Sequence, residues 1–252
     1  MKKLLYAGVL ALLPMTSVAD EMTTDQAFII DQIEARQAQA NSVALEIAGL
    51  AEIGYQENQS SSILQNYLSE SGFTVEAGVG GMPTAFVATY GNSGPVIGFI
   101  AEYDALPGFS QGAVPERAAV HGLDAGHACG HHLLGTGAAS AAIAVKNWLE
   151  ENNIDATLKV FGSPAEEGGG GKVYLTRAGA LDDVDAMINW HPSSKNAASP
   201  RRTLANYSGK FRFYGKSAHA AGAPEQGRSA LDGVEAMNFM VNALREIGRA
   251  HV

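Results

Sequence analysis

Apolar residues recur at helical spacing at Phe28, Ile29, Ile33, Val43, Ile47 and Leu50, with polar residues between them. That pattern predicts one amphipathic helix from Asp25 to Leu50. A shorter helix follows from about Ser60 to Ser69, with Ile63, Leu64, Tyr67 and Leu68 on its inner face and Ser71-Gly72 to end it. A strand then begins at Phe73-Thr-Val-Glu76, residues 78–83 form a turn, and Thr84 to Tyr90 is a second strand. No internal repeat or low-complexity tract interrupts the pattern.

Beyond Gly94 the period changes. Pro95 to Ala101 is a short unbroken apolar run, suited to a strand buried on both faces, and it leads directly into Glu102-Tyr-Asp104. Thr157 to Gly162 is a second such run, leading into Pro164-Ala-Glu-Glu167 and four glycines. Asp185 to Trp190 is a third, leading into His191-Pro192. Between the first two, the alanine-rich stretch from Leu133 to Glu150 reads as a helix packed closely on a sheet. Three strands thus deliver acidic or imidazole side chains at their carboxyl ends, which is where open α/β sheets bind ligands. Further on, Lys210 to Tyr214 alternates as a half-exposed strand does. A loop carrying His219 follows, and Ser229 caps a helix running to Arg245 with Leu231, Val234, Met237, Val241 and Leu244 on one face. The break near Ser199-Pro200 marks the start of a second, small domain.

Composition adds bounds. The chain has 252 residues, 46% of them hydrophobic, enough for one good-sized core, and a formal net charge of −9. That acidity argues against nucleic acid or an anionic membrane as partner. Residues 1–19 read as a secretory signal: Lys2 and Lys3, the apolar run Leu4 to Leu13, and the small-x-small site Ser17-Val-Ala19. Cleavage before Asp20 would leave an exported protein, periplasmic in a bacterium, with no other segment suited to crossing a membrane. The single cysteine, Cys129, cannot form an internal disulfide, so in an oxidising compartment it is expected to be buried or metal-bound.

The chemistry concentrates between His121 and Gly137, which holds four of the seven histidines and the cysteine. Cys129 and His131 flank Gly130, so a turn or helix start could aim thiolate and imidazole at one point, a donor pair suited to a borderline-soft divalent ion. The alternative is a buried free cysteine beside a structural histidine. Glu166 and Glu167 are neighbours. In extended backbone they would point opposite ways, one toward a metal and one toward the attacking water as general base. A solvated acidic turn is the plainer reading of such a pair. His191 is a candidate ligand as the third strand-end residue. Asp104 could accept a hydrogen bond from a ligand histidine and fix its tautomer, or simply cap a turn. Glu102 is more weakly placed, His127 and His132 are secondary or local, His121 is loop, and His219 is undecided. The glycines at 168–171 before Lys172 are not a phosphate loop, because the preceding acidic pair would repel phosphate.

Glu102-Tyr-Asp-Ala-Leu-Pro-Gly108, His127-Ala-Cys-Gly-His131, Leu133-Leu-Gly-Thr-Gly137, Pro164-Ala-Glu-Glu-Gly168, Trp190-His-Pro192 and His219-Ala-Ala221 together resemble the co-catalytic metallopeptidase family of carboxypeptidase G, aminoacylases and indoleacetyl-amino-acid amidohydrolases. Within it, the branch of p-aminobenzoyl-glutamate hydrolases and Xaa-Arg dipeptidases is most similar. The motifs come in family order from about residue 25 to 245.

The resemblance implies an α/β fold, a mixed sheet flanked by helices, as the zinc-peptidase-like catalytic domain (residues 20–199). An inserted α+β lid and dimerisation domain would start at residues 200–246. It implies two divalent metal ions, zinc with manganese as the alternative. Cys129, His131, Glu167 and His191 would be ligands, Glu166 the general base and Asp104 the orienting carboxylate. Glu102 stands where more distant relatives have a ligand histidine, and His219 matches a lid histidine that binds substrate in the partner subunit of a homodimer. The implied reaction is hydrolysis of an amide in a small aminoacyl or dipeptide-like substrate, with N-acyl-amino-acid deacylation as runner-up and a non-catalytic metal-binding fragment as the rival outside enzymes. His132 departs from the Asn or Asp usual after the Cys-Gly-His motif. The family's last ligand, a late histidine, has no counterpart here, and Gly248-Arg-Ala-His-Val252 ends abruptly. Residues 247–252 are therefore expected to be foreign and the chain to be C-terminally truncated, so that this chain alone is expected to be poorly stable and essentially inactive.

Overall fold

The computed structural model describes residues 22–198 and 208–244. Residues 1–19, expected from the sequence to be a secretory signal, and residues 247–252 lie outside the described residues. The chain divides into two compact units between Lys195 and Asn196, and each is described by itself.

The predicted helix at the start of the first unit is two helices, α1 (Thr24–Ala35) and α2 (Gln37–Leu50), broken at Arg36. No large apolar residue lies between Ile33 and Val43, so nothing holds one continuous stripe against the core. The Arg36 amide bonds instead to the Ile33 carbonyl at 3.1 Å, closing the first helix. Thr23 and Gln26 cap α1 reciprocally. Helix α3 (Asn58–Ser69) buries Leu64, Tyr67 and Leu68.

Strands β1 (Thr74–Ala77), β2 (Phe86–Tyr90), β3 (Val96–Glu102), β6 (Thr157–Ser163) and β7 (Ala186–Ile188) form one mixed sheet in the order β1-β2-β6-β3-β7. A two-stranded ribbon, β4 (Leu106–Pro107) with β5 (Ala125–Gly126), lies between β3 and helix α4 (His131–Asn152) in the chain. The sheet has helices on both faces, as the mixed α/β reading requires. Side chains alternate with the pleat: Phe86, Ala88, Phe99, Ala101 and Val160 join the core under α2, α3 and α4. Val87, Ile100 and Phe161 join a smaller core with Met82, Ala85 and Leu175, the last from α5 (Gly171–Arg177). Helix α4 lies close on β3, because Gly135 has no side chain where a Cβ would collide with the Glu102 carbonyl. Burying Leu134 and Ile143 on the same helix contributes about 1.5–3 kcal/mol each.

Register aligns the chemistry. In the parallel pairs Glu102 lies opposite Ser163, and Phe99 opposite Ile188, so the residues after β6 and β7 emerge level with the end of β3. The third strand differs from expectation. It is a three-residue edge strand whose residues are all exposed, because β3 covers only one of its sides.

In the second unit, helix α6 (Ala230–Ala243) is capped by the Ser229 hydroxyl, which accepts from the Asp232 amide at 3.2 Å. Val234, Met237 and Val241 are half-buried along one face, while Leu231 and Leu244 are exposed. Lys210 to Tyr214 is not a strand. Among the described residues no neighbour takes its backbone hydrogen bonds, and Phe211 and Tyr214 are 71% and 84% exposed. Among the described residues of this unit, an isolated bridge between Lys216 and Arg228 is the β-like pairing. No helix of the described residues is long and apolar enough to cross a membrane.

Candidate metal centre

Four segments meet at the carboxyl edge of β3 and β6. Gly130, in the left-handed region at φ +76°, turns the chain between Cys129 and His131 and starts α4. His131 is fully buried. Its Nδ1 lies 2.8 Å from Asp104 Oδ1 and 3.0 Å from the Asp104 carbonyl, which makes that nitrogen the N–H donor and leaves Nε2 as the free lone pair. Nε2 lies 3.1 Å from Glu102 Oε2, 3.7 Å from Glu166 Oε2 and 4.0 Å from Glu167 Oε1. Cys129 Sγ is 3.5 Å from His191 Nε2, and the His131 and His191 rings meet edge to face with centroids 6.1 Å apart.

The acidic pair sits on a turn rather than in extended backbone, so its two carboxylates do not diverge. Both approach the same nitrogen. Exposure separates them: the Glu166 side chain is 38% exposed and the Glu167 side chain 22%. Asp104 Oδ2 accepts from the Glu167 amide at 2.9 Å, so one buried carboxylate ties α4 to the acidic turn.

Three buried polar atoms of this cluster, Glu102 Oε2, His131 Nε2 and Glu167 Oε1, have no hydrogen-bond partner. Glu102 Oε2 and His131 Nε2 lie only 3.1 Å apart, so the group is costly to bury unless a proton on Nε2 or a metal cation bridges it. The donors also fit one by geometry, since Cys129, His131 and His191 offer ligand atoms all within 4.8 Å of one another, as do Glu102, His131 and Glu166. Thiolate, imidazole and carboxylate together suit a borderline divalent ion.

Electrostatics accord with that fit. Burial alone would raise the Asp104 pKa, but hydrogen bonds from His131 and the Glu167 amide outweigh it and hold the carboxyl below its usual range. Burial alone would lower the His131 pKa, and the hydrogen bond and charge of Asp104, with Glu102 and Glu166, raise it instead. Burial, the Glu167 hydrogen bond and the surrounding carboxylates push the Cys129 thiol up to about 11. His127 and His132 meet beside the centre with ring centroids 4.9 Å apart and planes tilted by 48°, and burial, then the charge of His132, lowers His127 to about 4.

A model of one family matches residues 98–248, more than half of the chain: "Peptidase family M20/M25/M40". The chain belongs to that family. Over 220 residues it is 45% identical to one of the two kinds of p-aminobenzoyl-glutamate hydrolase chain of Escherichia coli strain K12, covering 87% of this chain and 46% of that protein. It is 30% identical over 246 residues to the Xaa-Arg dipeptidase of Mus musculus, covering 92% and 53%. The chain thus spans about half the length of these curated relatives. Among solved structures, an aminobenzoyl-glutamate utilization protein from Klebsiella pneumoniae shares the fold, with a TM-score of 0.58 and 19% identity over 86% of this chain and 60% of its own. A dinuclear metal-binding M20 peptidase from Bacillus subtilis does so with a TM-score of 0.52 and 24% identity, over 64% and 44%.

For this M20 chain, the structure brings Asp104, Cys129, His131, Glu166, Glu167 and His191 together. His219 lies in the second unit, exposed, with its Nδ1 accepting from the amides of Ala221 and Gly222 at 3.2 and 3.0 Å. Sequence reasoning undervalued Glu102, which is 4% exposed and reaches both His131 and Lys172 Nζ, the latter at 2.5 Å. Its place at the end of a buried strand was the available signal. Lys172 reads from the sequence only as the end of a glycine run that is no phosphate loop, and Glu57 stands in a polar stretch without a motif, so neither points to the site.

Proposed function

We propose that the protein is a metal-dependent amidohydrolase that cleaves an amide or peptide bond in a small aminoacyl or dipeptide-like substrate. The observation that carries this reading is the convergence of the three unpartnered buried atoms of Glu102, His131 and Glu167 at the strand ends. Cys129, His131, Glu167 and His191 would hold divalent metal, zinc or else manganese, with Glu102 as an additional candidate. A divalent ion there supplies Lewis acidity to the scissile carbonyl and the attacking water. Asp104 keeps the His131 proton on Nδ1, so that Nε2 stays available. Glu166, the more exposed carboxylate of the pair, takes the proton from water and returns it to the leaving amine.

The names of the two relatives support p-aminobenzoyl-glutamate or a dipeptide as substrate class. The unit beginning near residue 200 would act as a lid and homodimer surface, with His219 binding substrate, and residues 1–19 would direct export to the periplasm. The test is to strip the protein of metal, reload it with zinc or manganese, measure bound metal, and assay p-aminobenzoyl-glutamate and Xaa-Arg dipeptides. Bound divalent metal and amide hydrolysis are expected of the whole protein once it supplies the family's late histidine ligand, with Glu166→Gln retaining metal while kcat falls about 10²–10⁴-fold. A wild-type protein that takes up no metal, or a Glu166→Gln variant with undiminished kcat, overturns the reading.

A further inference from the structure

The acidic turn is held from behind by a segment with no part in the chemistry above. Glu57 is fully buried, just ahead of α3. Its Oε1 accepts from the Ala165 amide at 2.8 Å and its Oε2 from the Thr84 hydroxyl at 3.0 Å. Thr84 is buried in turn, and its carbonyl accepts from the hydroxyls of Ser61 at 2.7 Å and Tyr103 at 2.5 Å. The carboxylate is therefore fixed at both ends in dry protein.

Ala165, immediately before Glu166, stands at φ +53°, a left-handed conformation that costs an L-residue energy and persists only when its surroundings impose it. The same neighbouring segment imposes it by shape as well. Gly54 lies so close that a Cβ there would come 2.9 Å from the Ala165 Cβ, and the Tyr55 hydroxyl donates to the Gly169 carbonyl at 2.6 Å. On the far side, the amides of Gly169 and Gly170 return to the Ala165 carbonyl at 2.9 and 2.8 Å. Ala165 is thus the pivot of the turn. Glu57 grips its amide, while Asp104 grips the Glu167 amide at 2.9 Å.

We infer that Glu57 is a positioning residue for the Glu166–Glu167 pair: its buried carboxylate holds the left-handed turn at Ala165 and so sets where the two catalytic-site carboxylates point. A carboxylate suits the place because its two oxygens accept from an amide and a hydroxyl at once, at a side chain closed to solvent. The inference rests on the proposed roles of Glu166 and Glu167 for its effect on rate, but not for its effect on the turn.

The experiment compares wild type with Glu57→Leu, Glu57→Gln, Ala165→Gly and the Glu57→Leu/Ala165→Gly double variant. Backbone hydrogen exchange is followed across residues 164–171 in the metal-free protein, and metal affinity and kinetics in the loaded protein. Leucine fills the site without an acceptor, so exchange in 164–171 is expected to accelerate while the central strands keep their protection. The expected kinetic loss is in kcat, about 100-fold for a displacement near 1 Å, with KM little changed. Glutamine, which keeps an acceptor for the amide, restores most of the protection and rate. Glycine at 165 accepts φ +53° without strain, so the double variant loses less, relative to Ala165→Gly, than Glu57→Leu loses relative to wild type. The inference is overturned if exchange in 164–171 stays at the wild-type rate in a folded Glu57→Leu protein, or if the Glu57→Leu loss is the same with alanine and glycine at 165. The exchange measurement needs neither metal nor substrate. A wild-type protein lacking hydrolytic activity therefore counts against the proposed function and leaves this test intact.

Discussion

The floor and the rim of the centre are built differently. The floor, Glu102, Asp104 and His131, is 4%, 2% and 0% exposed, and each residue is at or next to the end of an element packed in the main core. The rim, Cys129, Glu166 and His191, is half-exposed or exposed, and His191 follows an edge strand paired on one side only. The floor is organised by the fold before any ion arrives. The rim approaches the same point but is not compelled to stay, so an ion that links the two should order the rim far more than the floor.

The widest separation should come from two histidine variants. His131→Ala leaves the Asp104 and Glu102 carboxylates buried without their imidazole, and should cost about 3–5 kcal/mol of stability by urea denaturation of the metal-free protein. His191→Ala, at an exposed position, should change that stability by no more than about 0.5 kcal/mol while still weakening metal binding. Equal losses would erase the distinction between floor and rim.

Asp104→Asn tests the link between them. An amide can offer its one oxygen to His131 or to the Glu167 amide, but its NH₂ cannot accept from the other, so metal affinity should fall about 10–100-fold with the fold retained. Titration calorimetry reads this directly, and unchanged affinity would mean that Asp104 merely fills space.

Acidity sharpens the contrast further. The folded pKa of His131 is raised, so its stabilisation of the metal-free protein is complete below about 6.5 and is lost as pH rises through the folded value. Urea midpoints should fall in wild type as pH rises above about 6.5, with this contribution absent in His131→Ala. The Cys129 thiol, pushed up to about 11, is protonated at neutral pH and would have to lose that proton to bind metal. Calorimetry in buffers of different ionisation enthalpy should therefore show proton release on metal binding, and less of it in Cys129→Ser. This is the smallest of the expected effects.

Much of the architecture was legible in the chain because apolar period and secondary structure share a cause. The apolar runs at 95–101 and 157–162 became the central parallel strands β3 and β6, and the alanine-rich stretch became α4, since small residues are what close packing on a sheet demands. Failures fell where a pattern needs a partner. Lys210 to Tyr214 alternates correctly, yet with no neighbouring strand among the described residues it is not a strand there. Asp185 to Trp190 is apolar enough for a buried strand, yet it lies at an edge.

By itself the sequence determined which residue types were available for metal chemistry, and that they would follow strands or open a helix. Cys129 and His131 around a glycine, Glu166 beside Glu167, and His191 after an apolar run are local facts, carried by spacing along one chain. Only the tertiary structure decided which atoms meet. It set Glu102 against His131 and Lys172, left three buried acceptors bare at one point, and placed Glu57, 108 residues away in sequence, on the amide of Ala165. The reason is physical. Periodicity reports the face a residue presents to its own element, whereas hydrogen bonds between elements depend on strand register and helix position, which no single stretch of chain encodes.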